Sequence, residues 1–168
     1  MNLLNFMKFK RTFWMLAAAS VTLTVGNARE ACSNATLRGR YAFVITGQIL
    51  APPPAAGPVT GVALAEFFGN GTLKQVDHVV HNGVLPAEDW RPAQGSYSIN
   101  EDCTGWMTIS PEPTNPADNG PELKLFIVVT EDGQEIRTVV SGSPNTPPFQ
   151  ANITSTAVRI SPLERCSR

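Results

Sequence analysis

GVALAEFFGNGTLKQVDHVVH, residues 61–81, consists of two apolar-rich runs joined by Gly69-Asn70-Gly71. Valine, phenylalanine and leucine are frequent on either side of a loop rich in residues that tolerate positive φ, which is the pattern of a β-hairpin. A three-residue loop with Gly71 in the left-handed region, a type I turn with a bulge, sets the register. Phe68 then faces Thr72, Phe67 faces Leu73, Glu66 faces Lys74 and Ala63 faces Asp77. Glu66 and Lys74 make a sensible outward ion pair in this register. The opposite, internal face carries Phe67, Leu73, Gln75, Asp77, Val79 and His81.

Six further runs of the same kind surround this hairpin. The eight predicted strands are Leu37–Ile49, Val59–Phe68, Thr72–His81, Ala93–Ile99, Thr104–Ser110, Glu122–Thr130, Gln134–Ser141 and Asn152–Ser161. No window after residue 28 sustains a helical apolar period, so the fold class is all-β. Strands two and three, four and five, and six and seven are joined by tight turns; the other four connections (50–58, 82–92, 111–121 and 142–151) are long. Thirteen of the fourteen prolines fall in those four long connections and none in the tight turns. Alternating short and long connections place the two kinds at opposite ends of an up-and-down meander. The expected architecture is an eight-stranded antiparallel barrel, closed at a base of hairpins and ringed by stiff loops at a mouth.

Residues 1–28 read as a secretory signal peptide rather than as part of the fold. Lys8, Lys10 and Arg11 precede the uncharged stretch Thr12 to Val25, and Gly26-Asn27-Ala28 supplies small residues before a cleavage point at Arg29. Fourteen residues are too few for the roughly 20 of a spanning helix. The expected location is therefore secreted, extracellular or periplasmic, with no membrane partner after cleavage, and residues 29–168 form a single domain. Thirteen basic against fourteen acidic residues give a formal charge of −1; cleavage removes three bases and no acids, which moves it to −4. Neither value supplies a field for a nucleic-acid backbone.

An oxidising destination makes a disulfide expected among Cys32, Cys103 and Cys166. All three lie at the tight-turn end of the meander, so any pairing is open. Cys32–Cys103 is favoured, with the leading segment crossing the base, and Cys32–Cys166 is the alternative. Asn34, Asn70 and Asn152 each begin an N-glycosylation sequon, a pattern that also arises by chance in an Asn/Thr-rich chain.

Three segments, CSNATLRGRYAF (32–43), GVALAEFFGNGTL (61–73) and GSYSINEDCTGWMTI (95–109), resemble small secreted proteins with calycin-like barrels related in shape to allene oxide cyclase. The Gly-x-Tyr strand followed by Asp-Cys-Thr-Gly is the most specific part. The resemblance implies an eight-stranded barrel with a lumen, a bridge between the first cysteine and the Asp-Cys cysteine, and binding or cyclisation of hydrophobic small molecules. The plant cyclase's catalytic motif has no counterpart here.

Period-two reading assigns Leu37, Tyr41, Phe43 and Ile45 to the inner face of strand one. Tyr97, Ile99, Met107, Ile109, Leu123, Leu125 and Ile127 extend the apolar wall. Gln75, Asp77 and His81 within that wall are costly to bury without partners, which makes them candidates to orient a ligand. The candidate ligand-binding residues are Tyr41, Phe43, Gln75, Asp77, His81, Trp90 and Tyr97, with Trp90 as an amphipathic anchor in a mouth-loop patch that also holds Glu88, Asp89 and Arg91. No cofactor is implied, and no metal: His78 and His81 are three apart on a strand and point to opposite faces. The expected function is binding of a small hydrophobic or amphipathic molecule in the lumen. One alternative is a cofactor-independent cyclase or isomerase using Asp77, His81 and Tyr97 for proton transfer. The other is a solid structural barrel whose outward Leu64, Val76 and Trp106 form a partner or homo-oligomer surface.

Overall fold

The structure, a computed structural model, describes residues 31–51, 53, 56–112, 121–143 and 149–161. The expected leader, the sequence around Cys166 and several loop prolines lie outside these residues.

Eight antiparallel strands form a closed barrel in sequence order. They are β1 (Arg38–Ala51), β2 (Gly57–Phe68), β3 (Thr72–His81), β4 (Arg91–Ile99), β5 (Thr104–Pro111), β6 (Leu123–Val129), β7 (Glu135–Gly142) and β8 (Gln150–Ser161). β1 pairs with both β2 and β8, so no edge is left open. The hairpin register matches the expected one: Phe67 pairs with Leu73, Glu66 with Lys74 and Ala63 with Asp77. The turn itself differs from a type I turn, because Gly69 (φ 78°) as well as Gly71 (φ 91°) is left-handed.

The three hairpin turns of the base share one device. Asn70, Asp102 and Asp132 each accept, on the side-chain oxygen, the backbone N–H two residues ahead, at 3.0 Å in all three cases. Such Asx turns satisfy donors that the reversing chain cannot pair. The leading segment lies across this end, as expected. Cys32 is bonded to Cys103, with Cα atoms 5.0 Å apart, and the Cys32 N–H donates to the Glu101 carbonyl at 3.1 Å. A short 3-10 turn, Asn34–Thr36, follows, and the Asn34 side chain accepts the Ile99 N–H at 2.8 Å.

At the other end the strands run further than expected. Pro58, Pro92 and Pro111 stand in strand ends rather than in loops. Their carbonyls remain available: Asn82 N–H donates to Pro58 and Glu112 N–H to Pro92, at 2.8 and 2.9 Å. Proline is tolerated there because only its missing donor conflicts with a ladder. The connection after β3 is also less open than its length suggests. Asn82 (φ 52°) and Gly83 (φ 77°) form a tight two-residue turn, closed by reciprocal hydrogen bonds between His81 and Val84. Asn-Gly is the preferred pair for this geometry, since both central residues need positive φ.

Residue size along the inward faces divides the interior. On β2 the inward positions from mouth to base are Val59, Gly61, Ala63, Ala65 and Phe67; on β4 they are Ala93, Gly95, Tyr97 and Ile99. A Cβ at Gly61 would come within 2.6 Å of the His78 carbonyl oxygen, so the strands approach closely there. On these two strands the large residues therefore gather at the base. Phe67 meets Tyr41 and Tyr97 edge-on, with centroids 5.2 and 5.1 Å away, and Phe43 more nearly face to face at 6.5 Å. Tyr41, Phe67, Leu37 and Ile136 are fully buried in this plug. Outside, Leu64 and Val76 occupy outward positions but are half-buried, whereas Trp106, Phe126 and Val139 form an exposed row across β5, β6 and β7.

Candidate functional site

Above the aromatic plug the barrel is hollow. A cavity of about 420 Å³ opens toward the long-loop end, within the size range of small-molecule sites. Phe43, Ile45 and Ile49 of β1, Val59 and Ala63 of β2, and Val79 of β3 make one side of the wall. Met107 and Ile109 of β5, with Leu123 and Leu125 of β6, supply much of the rest. Pro111, Pro121 and Phe149 stand around the mouth.

Polar groups enter this apolar wall in two places. On β3 and β4, Asp77 is 4% exposed and accepts two hydrogen bonds, one of them within an ion pair. Arg91, its cross-strand partner, donates from Nε to Oδ1 at 3.1 Å, and its Nη2 lies 3.0 Å from the same oxygen as an ion-pair contact. Gln75 donates from Nε2 to Oδ2 at 3.1 Å. The carboxylate is thus charge-compensated and bonded on both oxygens, which is what makes its burial tolerable. On β7 and β8, Thr138 and Ser155 are directly paired, and their buried hydroxyls lie 2.6 Å apart. In a closed eight-strand order these strands stand across the lumen from β3 and β4.

His81 lines the cavity at the mouth end of β3, and its Nε2 is buried without a hydrogen-bond partner. Among the described residues the only other such side-chain atom is the Ser143 hydroxyl. The imidazole is anchored through its backbone, held by the turn at Asn82-Gly83. His81, Arg91 and Val79 also line a smaller hollow of about 210 Å³ beneath the loop that carries Val84, Leu85 and Pro86. Those three side chains therefore stand where two concave regions meet.

Of the expected ligand-binding residues, Phe43, Gln75, Asp77 and His81 line the cavity; Tyr41, Tyr97 and Trp90 do not. Tyr41 lies in the base, where its hydroxyl donates to the Gly133 carbonyl at 2.7 Å and accepts from Arg159 Nε and Nη2. The Tyr97 hydroxyl sits 2.9 Å from the Leu37 carbonyl and 3.0 Å from that of Asn34, and accepts the Gly69 N–H at 2.9 Å. Burial raises the pKa of both phenols, against the lowering influence of their hydrogen bonds. Both tyrosines are staples of the base, because a buried hydroxyl must find partners and the carbonyls of the leading segment and the turns are what lie nearby. Trp90 is 54% exposed and turned outward; its ring meets His78 edge-on, with centroids 6.3 Å apart. His78 in turn lies 2.7 Å, through Nδ1, from the Asp89 carbonyl oxygen.

Sequence reading passed over Thr138, Ser155 and the inward role of Arg91. A signal for Arg91 existed: extending the hairpin logic by one strand pairs it with Asp77, a buried acid in need of a cation. No protein-family model, curated protein or solved structure matches this chain. The class that fold and site define is a closed antiparallel β-barrel with an aromatic base and a hollow, mostly apolar upper lumen.

Proposed function

We propose that this protein binds a small hydrophobic or amphipathic molecule in the upper lumen of its barrel. The observation that carries the reading is the cavity of about 420 Å³, apolar over most of its wall and open at the mouth. Removing apolar ligand surface from water is favourable by roughly 25 cal/mol per Å². The closed barrel agrees in shape with the calycin-like proteins that residues 32–43, 61–73 and 95–109 resemble. The leader pattern at residues 1–28 and the disulfide are compatible with an extracellular or periplasmic carrier.

Binding is favoured over turnover by the state of the groups expected to move protons. Asp77 already accepts two hydrogen bonds and is ion-paired with Arg91, and Tyr97 is engaged in the base. Of the three expected catalytic groups this leaves His81. Native mass spectrometry of the exported protein tests the reading: a bound adduct released on mild activation, or one-to-one uptake of an added apolar compound, is the expected result. A protein that takes up none of a range of apolar compounds speaks against it.

A further inference from the structure

We infer that the preferred ligand is an uncharged amphipathic molecule with one hydroxyl or carbonyl oxygen, seated with that oxygen at His81 and its apolar body toward the aromatic base. This inference rests on the lumen-binding reading above and specifies the ligand class.

Three observations combine. First, the cavity wall below the mouth is apolar, and its β7–β8 hydroxyls are paired with each other. Second, the two formal charges on the wall, Asp77 and Arg91, are joined by a hydrogen bond and an ion-pair contact and cancel. An anionic head group would have to share Arg91 with Asp77, and a cationic one would have to share Asp77 with Arg91; either would bring an uncompensated charge against a largely apolar wall. Third, His81 stands on the same wall, and its Nε2 is buried without a hydrogen-bond partner. A buried polar atom of this kind is satisfied by a single hydroxyl or carbonyl without any net charge. The position of His81 at the mouth end of β3 orients the molecule, head up and body inward.

The test is competition against Nile red, an uncharged apolar dye, by octane, 1-octanol, octanoate and octylammonium at pH 8. Displacement by 1-octanol at concentrations roughly three to ten times lower than octane, as expected for one hydrogen bond, with both charged homologues weaker than the alcohol, is the expected order. In His81→Phe the alcohol should lose its advantage over octane, while Trp90→Ala, outside the cavity, should leave the order intact. Octanoate or octylammonium as the best competitor, equal potency of all four, or an alcohol preference that survives in His81→Phe overturns the inference while leaving lumen binding in place. Failure of the folded protein to take up the dye or any of the four compounds removes the lumen reading itself.

Discussion

Arg91 Nε and Nη2 converge on one oxygen of Asp77, at 3.1 and 3.0 Å, from the neighbouring strand of the barrel wall. The Asp77 side chain is 6% exposed and that of Arg91 29%, so the pair sits at the boundary between lumen and water. Leaving a buried carboxylate without its cation costs about 3–5 kcal/mol. Arg91→Ala should therefore lower the urea-unfolding free energy by about that amount, and the double variant Asp77→Leu/Arg91→Met should recover much of it. A loss of under about 1 kcal/mol in the single variant would place the pair with ordinary surface ion pairs.

The disulfide joins Cys32 to Cys103 across 71 residues. Chain-entropy arguments assign a loop of that size about 4 kcal/mol. Reduction of the purified protein should shift its urea midpoint accordingly, and the base should loosen first. Hydrogen exchange at Cys32 and Ile99, whose amides bond to Glu101 and to the Asn34 side chain, reports that loosening directly.

Tyr97 holds the leading segment to the barrel through hydrogen bonds at one hydroxyl. Tyr97→Phe removes the acceptor of the Gly69 N–H and a donor shared by the Leu37 and Asn34 carbonyls, of which Asn34 keeps the Leu37 N–H, and should destabilise by about 1–3 kcal/mol with no change in apolar-ligand affinity. An equal loss of affinity would mean that the base and the lumen are coupled.

The pH dependence follows from the same groups. Folding raises the pKa of Tyr41 and Tyr97 above the ordinary 10.0, chiefly through burial. The folded state then holds those protons more tightly than the unfolded chain, so their contribution is complete below about pH 10 and declines above it. Asp102 and Asp132 are held below the ordinary 3.8 by hydrogen bonds, first from Thr104 and Thr130 hydroxyls. Their contribution is present above that value and is lost as the pH falls further. Thermal melts from pH 2 to 12 should be insensitive to these four groups at neutral pH and should decline at both extremes.

The barrel is legible because runs rich in valine, isoleucine, threonine and aromatics are bounded by turn residues, and because tight and long connections alternate along the chain. The register of the 61–81 hairpin follows from the three-residue length of the Gly69-Asn70-Gly71 loop, with the cross-strand pairing of Glu66 and Lys74 in support, even though the turn conformation differs. The polar part of the β7–β8 wall is not legible: inward Thr138 and Ser155 resemble outward Thr154, Thr156 and Ser141, so residue type alone does not mark them as facing the lumen. Thr138 and Ser155 become tolerable inside only through each other, which requires the pairing to be known. Tyr41 and Tyr97 were read as ligand contacts because inward aromatics look alike from sequence. Height along the strand separates plug from cavity, and it depends on how small Gly61, Ala63, Ala65 and Gly95 let the neighbouring chain approach.

Ala63→Phe provides the most direct test of the hollow lumen. Ala63 is buried on the cavity wall between Phe43 and Asp77, and a phenyl ring there would occupy the space assigned to ligand. Nile red titration of the wild-type protein should give saturable binding at one site per chain. The variant, with an unchanged circular-dichroism spectrum and a cooperative melt, should lose that binding by tenfold or more. Undiminished binding by the folded variant, or no binding by the wild type, would contradict the account.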